Sequence, residues 1–431
     1  MTSPQIIALS VLAVVVAMLI WDRMRSEVVA LAGAAVLLLT RTIRPVEVES
    51  AFASPAIIAL ASLFVIVYAM DLTGLMGLLI RGAVRMCRRL GVAGIWLLVI
   101  LSGTASAFVN NTPIVVLTAP VVRDVAHTLS VSARRFLIPL SYATILGGTC
   151  TLIGTSTNLL VNDMARNAGQ PTFSLFEITP VGLIIAAVGA AYIILFGGRM
   201  LNRTGRPDTA RVGPRSAATA TGDNPALFPA DRPFRPLAGT VSFLVFVAVV
   251  AVAAMDLAPI AASAFAGAVF LIAFQVIDAK DAYKGLRPEV LLLIAGMVVI
   301  GLALEITGLA QVVTNVVMPV MRSAGPLGAL ALLYGATVFL TEVLSNAAVA
   351  VLLTPIAVAL AQSLGVNPRP FLVCVMMAAS AAFATPFGYQ TNVLVYQLGG
   401  YSYTDFVRIG VPLNLLTWLA GVIVIPIFFP F

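Results

Sequence analysis

Charge is what this sequence has least of. Only 10% of its 431 residues are Asp, Glu, Lys or Arg, while 60% are apolar. A soluble domain usually carries about 25% charged residues. A soluble core could not hide that much apolar surface, so the bilayer has to act as solvent for most of the chain. Histidine is nearly absent: His127 is the sole copy, and it reads as solvated near a membrane face. The three cysteines, Cys87, Cys150 and Cys374, stand singly, without metal-ligand spacing or a disulfide framework, and read as packing residues. No Walker sequence, His-Glu-x-x-His or nucleophile elbow is present, which argues against an enzyme and against ATP as the energy source of this chain. The formal charge of +7 is better explained by arginines that orient a membrane protein than by nucleic-acid binding. Met1-Thr2-Ser3 lacks a basic start, and the run Ile6 to Trp21 is followed by Asp22-Arg23, so it reads as a first span and not as a cleavable signal.

What is present is a set of long apolar runs that do not alternate as barrel strands do, so the spans are read as helices. They fall near 4–21, 28–40, 54–70, 92–128, 136–168 and 174–198, and again near 237–255, 257–277, 289–307, 326–363, 370–398 and 405–428. Two of them, 92–128 and 326–363, are too long for one span and carry polar residues at their midpoints, Asn110-Asn111-Thr112-Pro113 and Ser345-Asn346. Irregular backbone at membrane depth is tolerated only where protein or a watery cavity surrounds it. Both are therefore read as re-entrant hairpins. The runs 136–168 and 370–398 are interrupted at 147–158 and 384–392 and are read as broken spans with unwound centres.

The two halves repeat one another. Asn110-Asn111-Thr112-Pro113 is echoed by Ser345-Asn346-Ala347-Ala348, and Gly154-Thr155-Ser156-Thr157-Asn158 by Gly388-Tyr389-Gln390-Thr391-Asn392, each about 235 residues later. Asp71-Leu72-Thr73-Gly74-Leu75 likewise matches Glu305-Ile306-Thr307-Gly308-Leu309, and Pro120 matches Pro355. The expected architecture is an all-α polytopic membrane protein of two repeats. It has about ten transmembrane helices, two re-entrant hairpins and two broken helices. The first repeat is 1–198, the second 236–431, with a flexible basic linker at 199–235. Five crossings per half place the second repeat upside down. The expected faces divide the Lys and Arg residues 20 against 5, which makes the richer face, with the linker, cytoplasmic and puts both termini outside. The protein is expected in a bacterial inner membrane. Arg81, Arg85, Arg88 and Arg89 share one face of a helix opposite Leu75, Leu78, Leu79 and Val84, a pattern for a helix lying on the inner membrane surface.

If the repeats are inverted, four polar clusters converge: Asn110, Asn111 and Thr112; Ser345 and Asn346; Thr149 to Asn158; and Thr385 to Asn392. Amides and hydroxyls can donate to an anion and also accept toward a small cation. Helix arms that begin at the tips aim free N–H groups inward, which favours anions. Unwound carbonyls suit Na⁺. Four such clusters, paired by repeat and placed at helix breaks, outweigh the plainer reading of small polar residues at helix contacts. Glu342 lies three residues before Ser345, where the first repeat has Ala107. An intramembrane carboxylate is functional by default, so Glu342 is a candidate for cation or proton coupling. It could also simply be paired. Asp71 and Glu305 end their spans and read as interfacial.

These paired tips, each followed by a broken helix with Gly-Thr-Ser-Thr-Asn or Gly-Tyr-Gln-Thr-Asn, resemble the divalent anion:sodium symporter family (solute carrier family 13-like permeases) of the ion transporter superfamily. The resemblance covers nearly the whole chain. It implies an elevator-type homodimer that carries a small anion, sulfate or a dicarboxylate, with Na⁺ as coupling ion and no other cofactor. Asn111, Thr112, Ser345, Asn346, Thr157 and Thr391 would contact the substrate. Asn110, Gly154, Asn158, Ser345, Gly388 and Asn392 would surround Na⁺. The first tip departs from the family pattern in beginning Asn-Asn, and the second has Ala347 where a threonine is usual. The alternative on the same scaffold is a sodium/proton antiporter or an oxyanion (arsenite-like) efflux permease, with Glu342 as proton carrier.

Overall fold

The computed structural model describes residues 1–21, 23–197 and 234–431. Asp22 and almost all of the expected linker lie outside the described residues. Those described form helices and connections with no strand among them. In the first half, α1 is Ser3–Trp21, α2 Ser26–Leu39, α3 Pro45–Phe52, α4 Pro55–Leu72 and α5 Leu75–Leu90. They are followed by α6 Val92–Ser106, α7 Asn111–Thr128, α8 Arg134–Gly148, α9 Ser156–Asn167 and α10 Thr179–Tyr192. The second half runs α11 Pro236–Ala254, α12 Ile260–Ala273, α13 Ala279–Gly285, α14 Pro288–Ile306 and α15 Leu309–Thr341. It closes with α16 Asn346–Leu364, α17 Arg369–Ala379, α18 Gln390–Gly399 and α19 Tyr403–Phe428.

The second half therefore repeats the first helix by helix, with α15 standing for both α5 and α6. Gly325, at φ 69°, ψ 178°, leaves helical geometry inside α15, as Gly91 at φ 59° does between α5 and α6. Both positions need a residue without a Cβ penalty at positive φ. Four further pairs of left-handed positions recur: Gly74 with Gly308, Arg41 with Gln275, Ser130 with Gly365, and Gly169 with Gly400. The short helices α3 and α13 were not expected from the sequence. Each follows a 14-residue helix, α2 or α12. Such a helix is about 21 Å long, short of the roughly 30 Å hydrocarbon core.

Among the described residues, eight helices are long and apolar enough to cross a membrane, with shorter apolar helices beside them. Their outward faces are as apolar as their inward ones. On α19, Leu415, Leu419, Ile423 and Ile427 are exposed while Ile409, Leu413, Val424 and Ile425 are buried. A helix that is apolar all round in this way has lipid or protein on every side. The protein is an integral membrane protein. In the interior, α6 and α8 come close enough that a Cβ on Gly103 would stand 2.8 Å from the Ala143 carbonyl oxygen, an approach that small residues permit.

Two reciprocal ion pairs bind the halves together. Arg134 at the start of α8 donates to Asp405 at 2.8 Å, and its guanidinium lies 5.1 Å from the centre of the Tyr401 ring. Arg369, its counterpart at the start of α17, pairs with Glu177 and lies 4.2 Å from the centre of Phe173. Each carboxylate also accepts a backbone N–H three residues before it, Ser402 to Asp405 at 2.8 Å and Ser174 to Glu177 at 3.1 Å. The pairs differ in burial. The side chains of Arg134 and Asp405 are 8% and 6% exposed, those of Arg369 and Glu177 19% and 32%. Removing one partner of a buried pair costs about 3–5 kcal/mol, whereas a more solvated pair matters less. Arg134→Ala is expected to lower the thermal stability of the detergent-purified protein clearly more than Arg369→Ala does. Equal losses in a thermal denaturation series would remove the burial argument.

Candidate functional site

The hairpin tips are short loops between two helices. Helix α6 ends at Ser106, the chain turns through Ala107–Asn110, and α7 starts at Asn111. Helix α15 ends at Thr341, and α16 starts at Asn346. Asn110 and Ser345 are the N-caps: the Asn110 side chain accepts from the Thr112 N–H at 3.4 Å, and Ser345 from the Ala348 N–H at 3.3 Å. Capping satisfies only one of the free donors of a helix start. Asn111 and Asn346 are held alike, since Ser106 donates its hydroxyl to Asn111 Oδ1 and Thr341 donates to Asn346 Oδ1 at 2.9 Å.

The helix breaks repeat a second pattern. In the first break Asn158 donates Nδ2 to the Thr151 carbonyl at 2.9 Å, and the Gly154 N–H donates to Thr151 Oγ1 at 3.2 Å. In the second, Asn392 donates Nδ2 to the Thr385 and Ala382 carbonyls at 3.2 and 2.8 Å, and the Gly388 N–H donates to Thr385 Oγ1 at 3.1 Å. Thr151 passes its own proton to the Ala107 carbonyl, and Thr385 to the Glu342 carbonyl at 3.1 Å. Each hairpin tip is thereby tied to the break of its own repeat.

Other bonds cross between repeats. Asn111 donates Nδ2 to the Tyr389 hydroxyl at 2.9 Å, and Thr112 donates its hydroxyl to Gln390 Oε1 at 3.3 Å. Thr157 Oγ1 and Ser380 Oγ are 2.9 Å apart. Ser141 lies 2.7 Å from both Thr391 Oγ1 and Asn392 Oδ1. The first tip and second break are thus brought together. No hydrogen bond joins Ser345 or Asn346 to the first break among the described residues. Sequence reasoning missed Ser106, Ser141, Thr341, Ser380 and Asn414, all lone polar residues inside apolar runs. Their only signal was polarity within a span.

The two half-sites are not equivalent. In the first, the Oδ1 of buried Asn158 has no hydrogen-bond partner. The carbonyl oxygens of Ser106 and Ala107 converge on Gly154, each 2.9 Å from where its Cβ would be, and the Gly148 carbonyl approaches closer still. These are the C-terminal ends of α6 and α8, where carbonyls lack intrahelical partners and carry partial negative charge. Such a donor set fits a small hard cation. In the second half-site the corresponding Asn392 Oδ1 is engaged by Ser141. The Glu342 carboxylate closes in there, accepting from the Ala384 N–H at 2.7 Å, the Thr385 N–H at 2.8 Å and Asn414 Nδ2 at 2.7 Å. Glu342 is the group whose pairing the sequence left open, and in this conformation it anchors the second break.

A cavity of about 920 Å³ reaches the first tip. Asn110, Thr112 and Gln390 line it together with Leu60, Phe64 and Val116 and with Arg25, Lys284 and Arg287. Ser345 and Asn346 are not among its lining residues.

A profile of the citrate transporter family, CitMHS, matches residues 16–369, most of the chain. The chain belongs to that family. An uncharacterized transporter of Synechocystis is 27% identical over 97% of this chain and 95% of its own length. A 46 kDa membrane protein of Mycobacterium leprae is 26% identical, with 97% of each chain covered. Sodium/sulfate cotransporter 1 of Chlamydomonas reinhardtii is 37% identical over a shorter stretch, 34% of this chain and 17% of that protein. The crystal structure of the Alcanivorax borkumensis YdaH transporter superposes with a TM-score of 0.60 at 13% identity, over 88% of this chain and 86% of that one. That likeness extends to the fold. Membership of the family makes this chain a transporter and not an enzyme.

The Glu342 contacts make a stability prediction. Glu342→Ala leaves two backbone N–H groups and the Asn414 amide without an acceptor, and hydrogen bonds to a charged group are worth about 1.5–3 kcal/mol each. Glu342→Gln keeps one acceptor oxygen. Melting temperatures in detergent are expected to fall in the order wild type, Glu342→Gln, Glu342→Ala. A Glu342→Gln protein as stable as wild type would argue against the anchoring role.

Proposed function

We propose that this transporter carries a small divalent oxyanion, sulfate or a dicarboxylate, in symport with Na⁺. The observation that carries this reading is the pairing of opposite helix ends at each tip and each break. Four helices, α7, α9, α16 and α18, begin at the tips and breaks, and their N-termini favour an anion. Four others end there, and their carbonyl ends favour a cation. Asn111, Thr112, Ser345, Asn346, Thr157 and Thr391 are the proposed substrate contacts. The buried Asn346 Nδ2, which lacks a protein acceptor, supports its part as a donor. Gly154 and Asn158, with Asn110 nearby, are the better supported Na⁺ position. Ser345, Gly388 and Asn392 form a second position whose amide oxygen is already engaged. The similarity to sodium/sulfate cotransporters of Chlamydomonas reinhardtii supports the choice of ion and of substrate class.

The expected mode is an elevator movement by one body of each protomer of a homodimer, in a bacterial inner membrane. Helices α6–α10 and α15–α19 would form that body, held together by the Arg134–Asp405 and Arg369–Glu177 pairs. The repeats would be inverted, with the termini outside. The cavity then opens toward the face that carries Arg25, Lys284 and Arg287, the cytoplasmic side of the charge count.

Uptake of labelled sulfate and succinate into proteoliposomes under an inward Na⁺ gradient tests the reading, with choline replacing Na⁺ and with an imposed pH gradient as controls. Na⁺-dependent accumulation of either anion is expected. Proton movement driven by Na⁺ without anion uptake would sink it. Asn158→Ala removes the orphan Oδ1 and is expected to raise the Na⁺ concentration for half-maximal uptake by about tenfold or more, equivalent to about 1.4 kcal/mol. An unchanged Na⁺ dependence in that variant would displace the ion from the first half-site.

A further inference from the structure

Three cationic side chains line the cavity that reaches the first tip, Arg25, Lys284 and Arg287, and two of them are already neutralised. Arg25 pairs with Glu27 at 2.5 Å, and Lys284 pairs with Asp281 at 2.7 Å. Arg287 differs. Among the described residues no carboxylate lies within ion-pair distance of it and no protein acceptor takes a hydrogen bond from it. Its guanidinium carbon stands 5.7 Å from the centre of the Phe64 ring, a cation–π contact.

We propose that Arg287 forms a second, weaker anion site in this cavity, on which a small dianion such as sulfate or a dicarboxylate rests on its way to or from the hairpin tip. The inference deepens the transport reading and rests on it for the route, though not for the binding itself. A guanidinium presents its N–H donors in a planar fork that matches a carboxylate or sulfate edge in a bidentate way. A partly buried cation without a counter-ion is costly, and an anion in the cavity supplies the missing partner. Burial lowers the pKa of Arg287 from its ordinary value, and the charge of Glu289 opposes that shift. The group stays a cation in either case. Glu289 also lines the cavity. Its presence without an ion pair keeps the site weak, as a way-station must be if the anion is to move on.

The site can be separated from the tip by its independence of Na⁺. Binding of labelled sulfate, and in parallel succinate, is measured on the purified full-length protein in detergent, in Na⁺ buffer and in choline buffer. The wild type is expected to keep a weak component in choline. Arg287→Gln is expected to weaken that component about tenfold or more, equivalent to about 1.4 kcal/mol, and Arg287→Lys to weaken it less. Thr112→Val should retain it while losing the Na⁺-dependent component. Equal binding by wild type and Arg287→Gln in choline overturns the proposal, as does the absence of any choline component in the wild type. If Arg287→Gln does not elute as a single folded species, Arg287→Lys decides. Wild-type binding by the lysine variant then counts against a role for the guanidinium fork. Failure of the transport reading registers elsewhere, as absence of Na⁺-stimulated uptake, and leaves the choline measurement interpretable.

Discussion

A peptide group that leaves helical geometry inside a bilayer has no water to turn to, so its partner has to come from the protein. This chain breaks its helices at four such places, and the rest of the structure is organised around satisfying them. The side chains of Thr151, Asn158, Thr385 and Asn392 take the backbone groups of their own breaks. The hydroxyls of Thr151 and Thr385 then tie each break to a hairpin tip. Tip and break in one repeat are therefore a single hydrogen-bonded unit. The crossing bonds from Asn111 to Tyr389 and from Thr112 to Gln390 join one unit to the other. Polar residues this deep are tolerated because each has such work, and a vacancy in the network would cost more than the network gains from any one bond.

Duplication supplied two copies of this unit, and the differences between them are informative. Where the first repeat has Ala107, the second has Glu342, and where the first has Thr155, the second has Tyr389. The tyrosine is long enough to reach Asn111 across the repeat boundary. Thr155 is shorter and bonds to Thr157 at 2.7 Å, and the amide nitrogen of Asn346 has no hydrogen-bond partner. The carboxylate of Glu342 fills space and bonding capacity at the second break that the first leaves to carbonyl oxygens. These two differences, among others between the paired loops, make the half-sites unlike.

Much of this was legible in the sequence because polar residues are rare in it. Asn110 to Thr112, Gly154 to Asn158, Ser345-Asn346 and Gly388 to Asn392 stand out against apolar runs, and the 235-residue echo fixed which belonged together. The reciprocal ion pairs were not legible. Arg134 and Arg369 keep the motif offset of 235, but their partners Glu177 and Asp405 are 228 apart, because the connection after each break differs in length. A partner that changes register relative to the motif cannot be found by matching offsets. Helices α3 and α13 were missed for another reason: eight and seven residues carry too little periodicity to be told from a polar connection. The kink at Gly325 falls just before the apolar run read at 326–363, and the sequence did not reveal that α15 continues across it. The linker at 199–235 lies almost wholly outside the described residues.

Coupling between two ligands requires that each change the other's affinity by the same factor, and the arrangement of helix ends offers a direct physical route to it. The carbonyls of Ser106 and Ala107 belong to the arm that leads into the first tip, and Asn110 to Thr112 begin the arm that leaves it. A cation drawn to those carbonyls, as in the proposed symport, would fix the tip loop between them. The N–H groups and side chains at the start of α7 are then held in place for an anion instead of being ordered at its expense. An anion alone would meet a loop that is free to move, and a cation alone would meet carbonyls with no countercharge. In the proposed symport, the shortness of the Ala107–Asn110 loop, four residues between two helix ends of opposite polarity, would make the two binding events one.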